Sequence, residues 1–267
     1  MTPIDGIILG IVEGLTEFLP VSSSGHLIIA RDLLGLLVPN GLAVDAVLQL
    51  ATVFAVGVYF FRDLLGIAYT ALYKMLGRPV SDKDSTLLYA VLLGTIPGVL
   101  FGLLLEKTMD TVFRSMFLVG VTLVLGSILF IVAEKYAKKN QTLTAKRGFL
   151  IGLFQSLALV PGISRSGATI SGGLLLGLSR EEATRFSFVL SFPILLGAGL
   201  KKFLDLLGSH ELGTLGFPFF LASLSAFLVG LMAIHFLIRY LRTHTLYVFV
   251  YYRLILAGLI FLVIFAF

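Results

Sequence analysis

Two short stretches decide how this chain folds: Pro20-Val21-Ser22-Ser23-Ser24-Gly25 and Pro161-Gly162-Ile163-Ser164-Arg165-Ser166-Gly167. Each interrupts an otherwise apolar run, about 3–38 and 148–180, near its middle. A proline with a serine/glycine cluster breaks a helix and frees backbone N–H and C=O groups. Lipid cannot satisfy those groups, so such breaks are tolerated only where they are buried in protein or line a wet cavity. Both runs therefore read as re-entrant helix–loop–helix hairpins.

Around them lie six uninterrupted apolar runs, at about 42–61, 85–106, 116–133, 186–204, 215–238 and 246–267. Spanning roughly 30 Å of hydrocarbon takes about 17–25 helical residues, so each is long enough or nearly so. Composition agrees. Of 267 residues, 58% are apolar before the 28 glycines are counted and 13% are charged, with a mean hydropathy of +1.02. A soluble globule carries about 45–50% apolar residues with glycine included and about 25% charged. The expected fold is an all-α polytopic membrane protein: one integral-membrane domain over 1–267, with six transmembrane helices plus two re-entrant hairpins.

The two broken runs also repeat each other at an offset of 142 residues. Gly10 falls on Gly152, Glu13 on Gln155, Ser22 on Ser164, and Ser24-Gly25 on Ser166-Gly167. Leu33-Leu34-Gly35-Leu36 falls on Leu175-Leu176-Gly177-Leu178. Each half, about 1–133 and 148–267, then holds one hairpin and three spans. An odd number of spans per half gives an inverted-topology repeat. With the N-terminus outside, the inner loops 62–84, 134–147 and 239–245 hold eleven Lys/Arg. The outer segments hold four, Lys107, Arg114, Lys201 and Lys202, which satisfies the positive-inside bias.

Several functions are excluded early. With no cysteine there is no disulfide framework, thiolate nucleophile or cysteine-bound metal. Four scattered histidines, His26, His210, His235 and His244, suggest no metal cage. The net charge of +5 is topology written in loops, so no nucleic acid partner is expected. Met1 through Asp5 lacks the basic region of a secretory signal, and no cleavage is expected there.

The informative residues are the charges that apolar helices should not hold. Glu13 and Glu17 lie four apart and share one helix face. Each costs about 2.5–3.5 kcal/mol at membrane depth and marks a functional site by default. Arg165 stands in the second break between Ser164 and Ser166, with Thr169 beyond. A guanidinium fork, serine hydroxyls and freed N–H groups at a helix start make an anion cradle. The same arginine could instead pair with Glu13 or Glu17 and hold the hairpins together. The hydroxyl-rich loop in the other half favours the anion site. His26, three residues after Ser23, is placed to act as its general base, or to be a satisfied polar residue. Asp45 reads as a charge at a helix start, Arg31 with Asp32 as an interfacial pair, and Ser179 through Glu182 as a capping box.

Together these residues resemble the BacA-type undecaprenyl-diphosphate phosphatases, the bacitracin-resistance family. The match is carried by Glu13-Gly-Leu-Thr-Glu17-Phe-Leu-Pro20-Val-Ser22-Ser23-Ser24-Gly25-His26, by Pro161 through Thr169, and by Glu182-Ala183-Thr184-Arg185-Phe186-Ser187-Phe188. It runs nearly end to end. A common family form has threonine where Ser24 stands, which keeps the hydroxyl.

The resemblance implies hydrolysis of undecaprenyl diphosphate to undecaprenyl phosphate and inorganic phosphate, recycling the lipid carrier for cell-wall polymers. It also implies a divalent cation, Mg²⁺ or Ca²⁺, and a multi-pass protein of the bacterial cytoplasmic membrane acting on the periplasmic or exterior side. Membrane lipid is the expected surrounding, and a homodimer is allowed. On this reading Ser23 attacks and His26 takes its proton. Arg165 stabilises the phosphoryl oxygens with Ser22, Ser24, Gly25, Ser164, Ser166 and Thr169. Glu13 and Glu17 hold the metal through oxygen, or Glu17 orients His26. His26 itself or a metal-bound water are alternative nucleophiles. The rival class is a transporter or flippase of an anionic polyprenyl lipid, which broken helices in inverted repeats would also suit. Such a protein has no use for a nucleophile beside a base. An intramembrane serine protease would be poorly served by Glu13, Glu17 and Arg165.

Overall fold

Thr2 starts the first helix: Asp5 N–H donates to its hydroxyl (3.2 Å) while its own N–H donates to the Asp5 carboxylate (2.7 Å). This reciprocal cap satisfies two orphan donors, and Pro3 follows at the first helical position, where its missing N–H costs nothing. The computed structural model describes residues 1–33, 35, 41–111, 115–138, 141–208 and 216–266. Among them are eleven helices and no strand: α1 Pro3–Phe18, α2 Ser23–Leu33, α3 Gly41–Tyr59, α4 Phe61–Met75, α5 Asp82–Thr111 and α6 Met116–Tyr136. They continue with α7 Ala145–Leu157, α8 Arg165–Leu175, α9 Arg180–Gly208, α10 Phe217–Leu241 and α11 Tyr247–Ala266. The expected positions Lys139 and His210 lie outside the described residues, as does Arg114.

Five helical stretches are long and apolar enough to cross a bilayer: 82–105, 116–136, 180–201, 217–243 and 247–266. A sixth arises if α3 and α4, bent by 80° at Phe60, count as one broken span. The expected six runs are thus present as helices, with one difference. Residues 62–75, read from the sequence as part of the inner loop 62–84, belong to α4. It carries Leu65, Tyr69, Leu72 and Tyr73 exposed, with Thr70 buried. Its charges, Arg62, Asp63 and Lys74, made the segment look like loop, but they share a helix with an apolar face.

Close helix packing follows small residues, as it does where lipid removes the usual hydrophobic drive between helices. α1 lies against α10, and a methyl group added at Gly10 would stand 2.2 Å from the Ala222 carbonyl oxygen. α7 lies against α5, and one added at Gly152 would stand 2.1 Å from the Gly94 carbonyl oxygen. Gly6 faces Pro218 and Gly148 faces Ala90 in the same way. Beneath the breaks a core gathers Phe18, Phe60 and Phe188, with Phe18 edge-on to Phe188 at 5.6 Å between ring centres.

Ion pairs tie helix ends together away from this core. Glu134 accepts from Arg180 and from the Leu246 N–H (2.8 Å). Arg185 pairs with Asp63 at 3.2 Å and Arg242 with Glu181 at 2.6 Å. Ser179 and Glu182 exchange backbone and side-chain bonds as a capping box. Arg31 pairs with Asp45 on α3.

Candidate active site

Both breaks use the same backbone device. Ser22 and Ser164 have φ of +77° and +72°, and among the described residues they are the non-glycine positions with positive φ. That conformation costs of order 1–3 kcal/mol and persists only where the surroundings impose it. Past each second helix, Gly35 (φ +61°) and Gly177 (φ +88°) fall 142 residues apart, as the two serines do. Each serine hydroxyl also lies 3.3 Å from the hydroxyl two residues on, Ser22 with Ser24 and Ser164 with Ser166. Ser164 caps α8 by accepting from the Gly167 N–H at 3.3 Å. The breaks touch where the Gly162 N–H donates to the Ser22 hydroxyl at 3.1 Å.

The meeting brings Glu17, Ser23 and Arg165 together. The Ser23 hydroxyl donates to Glu17 Oε2 at 2.6 Å, and Arg165 Nη2 donates to Glu17 Oε1 at 3.0 Å. One carboxylate therefore bridges a hydroxyl at the start of α2 and a guanidinium at the start of α8. Its side chain is 9% exposed and that of Arg165 13%. Arg165 Nε and Nη1 are buried and have no hydrogen-bond partner among the described residues. Glu13, one turn before Glu17, is buried at 3% exposure. Gln155, at the matching position of the other half, is equally buried.

His26 is not hydrogen-bonded to Ser23. Its Nδ1 lies 2.7 Å from the Ser22 carbonyl oxygen and its Nε2 2.6 Å from the Tyr252 hydroxyl, with the two rings stacked at 5.6 Å. A carbonyl only accepts, so Nδ1 carries the proton. In the neutral ring Nε2 then accepts from Tyr252. Helix geometry explains the separation: Ser23 opens α2 beside the end of α1, so its hydroxyl meets Glu17 instead. Thr169 also turns away from the cradle. Its hydroxyl bonds the Arg165 carbonyl (2.8 Å) and lies 2.5 Å from the Ser187 hydroxyl on α9. Gly25 lies against Val119, where an added methyl would meet Cγ1 at 3.0 Å.

The residue that sequence reasoning missed is Arg253, wholly buried in α11. Its Nη1 donates to the Pro20 carbonyl (3.4 Å) and the Ile163 carbonyl (3.2 Å). Nη2 donates to Gly162 (2.8 Å) and Leu123 (3.2 Å). Its Nε reaches the Ser127 hydroxyl at 3.3 Å, and its guanidinium carbon lies 4.8 Å from the centre of the Phe130 ring. The carbonyls that the breaks free are thereby satisfied by one cation. A lone arginine in an apolar span was the available signal, and Tyr252 beside it carried none.

The sequence relatives agree on one family. A family model described as bacitracin resistance protein BacA matches residues 6–259. An undecaprenyl-diphosphatase of Rubrobacter xylanophilus is 44% identical over 263 residues, covering 96% of this chain and 96% of that protein. One of Myxococcus xanthus is 43% identical, covering 97% and 88%. One of Moorella thermoacetica is 41% identical, covering 97% of each. With a half-buried serine–carboxylate–arginine cluster at two broken helices and a match over nearly its whole length, the chain belongs to the BacA bacitracin-resistance family of membrane proteins.

Proposed function

We propose that the protein hydrolyses undecaprenyl diphosphate to undecaprenyl phosphate and inorganic phosphate in the cytoplasmic membrane of a bacterium, with the two breaks as its active site. The observation that carries this reading is Arg165: a guanidinium whose Nε and Nη1 are buried and unpaired among the described residues, beside a serine already hydrogen-bonded to a carboxylate. Buried donors without partners are costly, and the oxygens of a diphosphate are fit partners for a guanidinium fork. The starts of α2 and α8 add helix N-termini that favour the same charge.

Ser23 attacks the terminal phosphorus, forming a phosphoserine and releasing undecaprenyl phosphate; water then frees phosphate. The serine proton passes to Glu17, its hydrogen-bond partner at 2.6 Å. For His26 to serve as this base, its Nε2 would have to leave Tyr252. In its present position Tyr252 and the Ser22 carbonyl fix the ring, beside the nucleophile but not on it. Arg165 and the Ser22, Ser24, Ser164 and Ser166 hydroxyls stabilise charge on the transferring group.

Glu13 and Glu17 fit a hard divalent cation, Mg²⁺ or Ca²⁺. Both are carboxylates on one face of α1, and such ions are held by one or two carboxylates with water and phosphate oxygens. When bound, the ion would supply positive charge to the diphosphate.

The broken helix pairs act as re-entrant hairpins in an inverted repeat. Support comes from the exchanged packing, α1 on α10 and α7 on α5, and from the matched positive-φ positions. The loop charges support an exterior position for the N-terminus and the active site.

The test is phosphate release from undecaprenyl diphosphate by purified protein, with and without EDTA, beside Ser23→Ala and Arg165→Ala. Release that is lost in both variants while the fold persists supports the reading. Near-normal release by Ser23→Ala removes the nucleophile, and tight binding without release by the parent protein removes hydrolysis. A trapped phosphoenzyme that survives acid fits serine; an acid-labile one moves the bond to His26.

A further inference from the structure

An open groove of about 800 Å³ runs along α10 and reaches Tyr59 at the end of α3. It shares no residue with the Glu17–Ser23–Arg165 cluster. Its lining follows one face of α10 in successive turns. Leu231, Met232 and Phe236 make an apolar flank, and the next turns bring Arg239, Thr243 and His244. The apolar stretch of this helix ends at 243, so Arg239 lies at the boundary between hydrocarbon and water. Leu231 is about 12 Å deeper at 1.5 Å per residue.

The charge of this groove is one-sided. No carboxylate lines it. The acids that meet arginines of the neighbouring elements are already engaged, Glu181 by Arg242 and Asp63 by Arg185. Arg239 is exposed and has no ion-pair partner among the described residues. Hydroxyl and imidazole groups stand beside it: Tyr59 with His235 at 3.1 Å, and Thr243 with His244 at 2.8 Å.

We infer that this groove is a docking site for an anionic diacyl phospholipid of the bilayer, its phosphate on Arg239 and an acyl chain along Leu231, Met232 and Phe236. The charge complementarity is local, and the order of chemistry along the helix matches the order of a lipid from headgroup to tail. Basic pockets between spans bind anionic headgroups in this manner. The site is independent of the hydrolytic reading.

Native mass spectrometry of the detergent-purified chain tests it, with equal phosphatidylglycerol and phosphatidylcholine added. The parent should retain phosphatidylglycerol preferentially. Arg239→Gln should reduce that retention about fivefold, the effect of one cation near an anionic headgroup. Lys146→Gln, which removes the same charge from a residue that does not line the groove, should leave it unchanged. Phosphate release by Arg239→Gln in micelles should equal the parent's. Equal retention of the two lipids by the parent, or undiminished retention by Arg239→Gln, overturns the proposal. So does a dimer that dissociates in Arg239→Gln without any lipid bound, which would make a second copy the occupant.

Discussion

The two breaks share a backbone and differ in chemistry. In both, a serine at positive φ puts its hydroxyl 3.3 Å from that of the serine two residues on. Counted at the 142-residue offset, however, Ser23 falls on Arg165, Glu17 on Leu159 and His26 on Ala168. The first break thus holds a hydroxyl, a carboxylate and an imidazole, and the second a cation. The proposed nucleophile and the cation thus stand on different breaks. A shared loop geometry supplies two helix starts, and their different side chains meet across the contact between Gly162 and Ser22.

The sharpest way to break this division of labour is at Glu17, which joins the two sides. Glu17→Gln keeps the shape and removes the proposed proton acceptor, which is also a proposed metal ligand; turnover should fall about a thousandfold, within the range for a lost general base, while the melting temperature in detergent changes little. Turnover within a few-fold of the parent would return the proton to His26.

Arg253 tests whether the loops are held jointly. Arg253→Leu strands the Pro20, Gly162 and Ile163 carbonyls at once, and unfolding in detergent should become easier by about 3 kcal/mol. An unchanged melting temperature would mean that the contacts to the two breaks are incidental.

A smaller effect compares the helices before the breaks. Gly10→Ala and Gly152→Ala each force a methyl against a carbonyl, and each should destabilise by about 1–3 kcal/mol. A cost at one position alone would show that the two helix contacts are not equivalent. The smallest effect is expected of Thr16→Ala and Ser156→Ala, whose hydroxyls only bond the carbonyls one turn back, Val12 at 2.7 Å and Gly152 at 3.2 Å. Both should hydrolyse at close to the parent's rate, since neither hydroxyl bonds a group of the cluster. A larger loss would extend the site beyond the breaks.

Most of the architecture was legible because lipid makes its demands in composition. Long apolar runs became helices, and proline with clustered serine marked where two of them stop. The α4 helix was hidden because Arg62, Asp63 and Lys74 counted as loop charge, while its apolar face shows only at helical spacing. At the site, Glu17, Ser23 and Arg165 were visible as polar groups out of place, and the structure brings them together. The pairing of Ser23 with Glu17 rather than His26 was not visible. Sequence spacing put His26 within reach, but the approach of α1 to the start of α2 and the distant Tyr252 decided the bonds. Arg253 was readable in principle, as the single cation of its span, and was lost among residues that looked only like membrane.

The position of Arg253 also orders the making of the protein. Its carbonyl partners, Pro20 in the first break and Gly162 and Ile163 in the second, are synthesised long before it. A nascent chain can insert both broken helices and still lack the cation that satisfies them. Until α11 enters the bilayer and docks, those carbonyls lack their cation, so both loops are satisfied only after the helix that carries Arg253 has been made.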